Sequence, residues 1–209
     1  MTYYYYAVKI GREPGIYENW KECFQQINNY KCFKYKRFST LSEANNYLYP
    51  EKTESSSFVP DYYVYTDGSC HNNGQKNASA GIGIYFGEND DRNVSQKITG
   101  KQTNNAAELK AIIDTYPIIE NDLNKGKKIM IVTDSEYAMK CIQTYGHKCF
   151  LENWKKDIPN KELVKQVYHL YYQSDKVQFM HVKAHTKNND IHSIGNMNAD
   201  KLANMSCLF

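Results

Sequence analysis

Residues 62–73 read YYVYTDGSCHNN. Aromatic and β-branched side chains lead into Thr66 and the carboxylate of Asp67, and Gly68 follows. This composition, bounded by glycine and polar residues, predicts a strand over Tyr62–Thr66 that delivers Asp67 to its C-terminal end, with a turn from Gly68. A single carboxylate at a strand end is also ordinary turn chemistry. Its meaning therefore depends on what the rest of the chain brings to it.

Downstream, Ala80–Phe86 (AGIGIYF) and Val94–Thr99 predict two further strands at turn-length separation, an antiparallel meander with Tyr62–Thr66. Asn104 to Asn121 is helical in pattern, with Ala107, Ala111, Ile112 and Thr115 on its inner side. The short β-branched run Lys128–Thr133 predicts a buried parallel strand. Helices are expected over Ser135–Tyr145, Phe150–Lys156 and Asn160–Gln173, then a strand over Val177–Val182 and a closing helix over Asn196–Met205. The fold class is α/β: a five-stranded mixed sheet with flanking helices.

Four acidic residues take special places in that layout. Asp67 ends the first strand, Glu108 lies one turn inside the first helix (TNNAAEL), Asp134 follows the fourth strand (VTDS), and Asp200 lies in the last helix (NMNAD). With the first and fourth strands adjacent and parallel, Asp67 and Asp134 emerge at one sheet edge, where open α/β sheets bind ligands. Clustered carboxylates repel each other, and hard divalent cations relieve the repulsion. Taken singly, each acid also reads blandly: Glu108 as a helix-surface charge, Asp134 as a cap before Ser135, Asp200 as a surface charge.

Upstream, residues 3–49 form a small β-β-α-β-α module. Its strands are Tyr3–Ile10, Gly15–Tyr17 and Phe33–Phe38. Asn19 caps a helix over Trp20–Asn28 with Cys23, Phe24 and Ile27 at helical spacing, and Ser42 caps a helix ending at Leu48. Lys34, Tyr35, Lys36 and Arg37 interleave charge with an aromatic ring. Residues 50–60, PEKTESSSFVP, form a Pro-bounded, Ser-rich linker reaching at most about 35 Å, and 61–207 form the second domain.

The chain has 209 residues and a net charge of +3. That excess sits in residues 1–50, with seven Lys and Arg against four Glu, while the remainder carries 19 of each sign. An anionic ligand is expected to meet the front of the chain. The six cysteines form no CxxC pair, so reduced thiols in an intracellular protein are expected, and no zinc site. No apolar run suits a membrane, and the N-terminus carries neither a secretory nor a mitochondrial targeting pattern. Nuclear or cytoplasmic placement follows as an expectation, as does a monomer with no obligate protein partner.

The stretch YYAVKIGREPGIYENWKECFQQINNYKCFKYKRFSTLSEANNYL resembles the hybrid-binding domain of eukaryotic type 1 ribonucleases H. The ordered set TDGS, TNNAAEL, VTDS, HVKAHT, GNMNAD over residues 62–206 resembles their catalytic domain. The resemblance implies a ribonuclease H-like fold and hydrolysis of RNA paired with DNA by two Mg²⁺ ions, with Mn²⁺ as a possible substitute. It leaves 5′-phosphate and 3′-hydroxyl ends. It makes Asp67, Glu108, Asp134 and Asp200 the metal-binding quartet, with Asp67 shared by both ions. His185 becomes a mobile histidine that shuttles a proton or helps product leave, with His181 structural.

The resemblance further assigns Cys70, Asn73, Asn104 and Asn105 to reading 2′-hydroxyls in the minor groove, with Asn104 free to cap its helix as well. Lys101, Thr103 and Asn160 would hold a DNA phosphate, and Tyr137, Phe150 and Trp154 a DNA channel. In the small module, Tyr6, Trp20, Tyr35, Lys36 and Arg37 would contact the hybrid. Two departures stand out. Phe150 replaces a common Trp, and the basic protrusion after Lys156 is missing, which shifts substrate grip toward the N-terminal module. A non-catalytic hybrid binder, or a transposase or junction nuclease of the same fold, are the competing classes. The four acids argue against the first, and the Asn pair with the N-terminal module against the second.

Overall fold

The computed structural model describes residues 3–48, 58–172, 174–184 and 188–208. Contacts separate it into two compact units, the second beginning at Phe58.

The first unit runs β1 (Tyr5–Ile10), β2 (Gly15–Tyr17), α1 (Trp20–Ile27), β3 (Lys34–Phe38) and α2 (Leu41–Leu48). Its sheet has the order β2-β1-β3, antiparallel throughout. Val8, Cys23 and Ile27 form its core, with Tyr6 and Tyr17 packed alongside. Asn19 caps α1 by accepting the Glu22 N–H at 2.9 Å. At α2 the cap is Thr40, not Ser42. The Glu43 N–H donates to Thr40 Oγ1 and the Thr40 N–H donates to Glu43 Oε2, both at 3.2 Å, a reciprocal capping box. Phe24, expected on the apolar stripe of α1, is 44% exposed, while Cys23 and Ile27 are buried.

The second unit runs β4 (Tyr62–His71), β5 (Ser79–Tyr85), β6 (Val94–Lys97), α3 (Asn104–Asn124), β7 (Ile129–Thr133), α4 (Glu136–Gln143), α5 (Tyr145–Leu151), α6 (Lys161–Tyr171), β8 (Val177–His181) and α7 (Ile191–Ser206). The five strands lie in the order β6-β5-β4-β7-β8. β4, β5 and β6 form the antiparallel meander, while β7 and β8 extend the sheet in parallel from β4. Helix α3 covers one face, with Leu109, Ile112 and Ile119 fully buried against Val64, Ile82, Ile84 and Ile131. On the second core, Tyr65, Met130, Val132 and Ala199 pack together, and Phe58, expected in the linker, packs against them. Among the described residues no helix is long and apolar enough to cross a membrane.

Several boundaries differ from the sequence expectation. β4 does not stop at Thr66. Its parallel pairing with β7 ends at Tyr65, but its antiparallel pairing with β5 continues to His71. Gly68 is therefore a strand residue and not the start of a turn. A Cβ there would lie 2.2 Å from the Glu108 nitrogen and 2.5 Å from the Ala107 carbonyl carbon, so the glycine admits α3 against the sheet. The helical segment placed over Phe150–Lys156 is α5, ending at Leu151. Helix α7 starts at Ile191, five residues before Asn196, because Asp190 caps it by accepting the His192 and Ser193 N–H groups at 3.0 Å.

Candidate active site

Three elements bring carboxylates to one place. β4 and β7 are parallel neighbours, so Asp67, two residues past the last residue of β4 paired with β7, and Asp134, just past the end of β7, emerge at the same end. The close approach at Gly68 adds Glu108 from the second turn of α3. One oxygen from each of Asp67, Glu108 and Asp134 lies within 4.8 Å of the others. Asp200 is outside this group of three, yet its charge reaches Asp67 from α7.

The cost of this convergence is visible in the acids themselves. Asp67 and Glu108 are each only 6% exposed. Burial, then the charges of Asp134 and Asp200, push the Asp67 carboxyl up to about 8, against a backbone hydrogen bond from Gly68 that pulls it down. Burial, then Asp67 and Asp134, hold Glu108 well above the usual carboxylate range. Glu108 Oε1 accepts from Asn104 Nδ2 at 3.4 Å, while Oε2 is buried without a hydrogen-bond partner. A buried all-oxygen donor set with an orphaned carboxylate oxygen fits a hard divalent cation.

Two residues that the sequence reading gave no role stand behind these acids. Asn196, 5% exposed, donates through Nδ2 to Asp134 Oδ2 at 2.8 Å. Asn204 donates through Nδ2 to Asp200 Oδ1 at 2.8 Å and accepts from the Ser69 hydroxyl. Asn196, Asp200 and Asn204 recur every four residues of α7 and so share one helix face. That spacing was the available signal. His181, read as structural, has Nε2 3.1 Å from the Asp134 carbonyl oxygen.

The expected substrate contacts fall into separate groups. Cys70 is half-buried, its thiol 3.6 Å from the Gln102 carbonyl oxygen, and burial pushes that thiol up. Asn73 and Asn105 are exposed. Asn104 does not cap α3. Thr103 does, accepting the Ala106 N–H at 3.3 Å, and Asn104 reaches Glu108 instead. Lys101 is exposed nearby. Asn160, in the left-handed region at φ 56°, donates to the Tyr137 hydroxyl at 3.3 Å, which joins a residue of the expected phosphate pocket to one of the expected channel. Phe150, 37% exposed, and Trp154 converge on Tyr168 and His169, with ring centroids 5.4–6.1 Å apart. His185 lies outside the described residues.

In the first unit, Trp20 lies 5.5 Å from both Tyr6 and Tyr35, so the three expected rings form one cluster. Arg37 pairs across the sheet with Tyr6 and shares that face, its guanidinium 4.3 Å from the Tyr4 ring centre. Lys36 pairs with Ala7 and points to the other face by strand alternation, where its ammonium lies 5.5 Å from the Phe38 ring centre. Lys36 therefore does not join the ring cluster.

Comparison with known proteins supplies the family. Residues 60–207 match the RNase H family model, and residues 4–48 match that of the ribonuclease H1 N-terminal domain. Ribonuclease H1 of Mus musculus is 27% identical over 95% of this chain and 87% of its own. Ribonuclease H of Schizosaccharomyces pombe is 29% identical over 95% of each chain. A probable ribonuclease H of Acanthamoeba polyphaga mimivirus reaches 38% over 63% of this chain and 60% of its own. Among solved structures, the RNase H domain of prototype foamy virus is similar, with TM-score 0.51, 25% identity, and coverage of 70% of this chain and 93% of the viral one. An RNase H1 isolated from compost shares the fold, with TM-score 0.52, 23% identity, and coverage of 71% and 96%. With the catalytic family model spanning most of its length, the chain belongs to the ribonuclease H family.

Proposed function

We propose that this metal-dependent endonuclease, which hydrolyses the RNA strand of RNA/DNA hybrids, does so with two Mg²⁺ ions held by Asp67, Glu108, Asp134 and Asp200. The observation that carries the assignment is the convergence of three buried or half-buried carboxylates, one with an oxygen lacking any partner. Bound divalent cations supply an activated water and charge stabilisation for the leaving oxygen. Asp67, whose carboxyl feels the charges of both Asp134 and Asp200, would be the ligand shared by the two ions. Asn196 fixes one oxygen of Asp134, and Asn204 does the same for Asp200. His185 is assigned to shuttling a proton or helping product leave.

Hybrid specificity is assigned to Cys70, Asn73, Asn104 and Asn105, whose thiol and amides can address 2′-hydroxyls in the minor groove. The Asn104–Glu108 hydrogen bond ties that reader directly to the acidic centre. Lys101, Thr103 and Asn160 are assigned to a DNA phosphate and Tyr137, Phe150 and Trp154 to the DNA channel. The ring cluster of Tyr6, Trp20 and Tyr35 with Arg37 is assigned to the hybrid surface of the N-terminal module. The products are 5′-phosphate and 3′-hydroxyl ends. Asp67→Asn tests the metal assignment. Cleavage in Mg²⁺ should be abolished while hybrid affinity stays within severalfold, and retained cleavage would overturn it.

A further inference from the structure

The N-terminal module exposes more rings than its resemblance requires. Phe24 lies one helical turn after Trp20 on α1, with ring centroids 5.7 Å apart. Phe33 lies two residues before Tyr35, on the same side of the extended chain, at 6.2 Å. Trp20 and Tyr35 are themselves 5.5 Å apart. The result is a continuous row, Phe24–Trp20–Tyr35–Phe33, with Tyr6 beside Trp20. All four rings of the row are 36–48% exposed. Singly exposed aromatics need no explanation, but a contiguous row of this kind marks a contact surface.

The charges around the row say what it contacts. Lys21, Lys31 and Arg37 are exposed, and among the described residues none of them is engaged in an ion pair. Exposed cations carried by the same short segments as bare rings suit a ligand that is anionic at its edge and apolar within. A nucleic acid strand meets both conditions, with phosphates for the cations and sugar or base faces for the rings. A deoxyribose presents an apolar C2′ face where a ribose presents a hydroxyl. In steps of 5.5–6.2 Å, the four rings offer contacts to several successive nucleotides of a strand.

We propose that Phe24 and Phe33 are binding residues that extend the module's ring surface at both ends, so that it grips a longer stretch of the DNA strand of a hybrid. This rests on reading the module as the hybrid-binding surface. The experiment uses the full chain carrying Asp67→Asn, to prevent cutting, and measures affinity for an RNA/DNA hybrid. Phe24→Ala and Phe33→Ala should each weaken binding about threefold or more and together about tenfold or more. Phe24→Tyr and Phe33→Tyr should restore it, and the salt dependence should not change, since no charge is removed. Trp20→Ala serves as the reference. Weakening by Trp20→Ala with the double Phe variant within about twofold of the parent would overturn this inference alone. Unchanged affinity for Trp20→Ala as well would overturn the reading of the module with it.

Discussion

Asp67 carries a heavy electrostatic load at the centre of the site. It is buried, it faces two other carboxylates, and its carboxyl is pushed up to about 8. Its position was legible in the sequence because the run before it is so strand-like and because the other acids follow in recognisable contexts. Asn196 was not legible. Its partner, Asp134, lies 62 positions away, and the four-residue spacing that puts Asn196 on one helix face with Asp200 and Asn204 does not name that partner. The same holds for Asn204, which reaches Asp200 and Ser69 at once. If Asn196 orients Asp134, Asn196→Ala should lower the rate at saturating hybrid about 10–100-fold and raise the Mg²⁺ concentration required. A Mg²⁺ titration of cleavage checks this. A drop in thermal stability with unchanged Mg²⁺ dependence would reduce Asn196 to a structural role.

At the scale of elements, the site depends on how closely α3 approaches β4. Asp-Gly after a strand reads as a turn, and only the packing partner distinguishes a turn glycine from one that clears space for a helix. At Gly68 it is the helix backbone that requires the glycine. Gly68→Ala should therefore cost about 1–3 kcal/mol or more by overpacking, read as a lower urea midpoint, with cleavage falling as Glu108 moves from Asp67. Unchanged stability would mean that α3 can shift freely. Gly195 in α7 makes room in a similar way. It interrupts the helical pattern, yet it lies where a Cβ would come within 2.3 Å of the Tyr65 ring, so the helix runs through it. The strand order was easier to read, since short connections force the meander and a β-branched run of five residues demands burial on both faces.

At the scale of the whole molecule, the acidic centre links stability to pH. Asp67 releases its proton at about 8 in the folded, metal-free chain and near 3.8 ordinarily, so the folded chain keeps a proton that the unfolded chain has lost. Stability without metal should then fall as pH rises from about 4 to 8. Thermal melts in EDTA across that range should show the fall, and Asp67→Asn should make it shallower, with Glu108 supplying the remainder. An equally steep fall in the variant would place its origin elsewhere. The N-terminal module divides labour with the centre. Trp20→Ala should weaken hybrid affinity and repeated cutting with little loss at saturating substrate, and unchanged affinity would return Trp20 to a packing role. The most direct measurement is cleavage by the full chain in Mg²⁺ of an RNA/DNA hybrid, a double-stranded RNA and a duplex DNA of one sequence, with Asp67→Asn alongside. The account predicts cutting of the RNA strand of the hybrid alone, leaving 5′-phosphate ends, and none by the variant. Cutting of the duplex DNA, or undiminished cutting by Asp67→Asn, would contradict it.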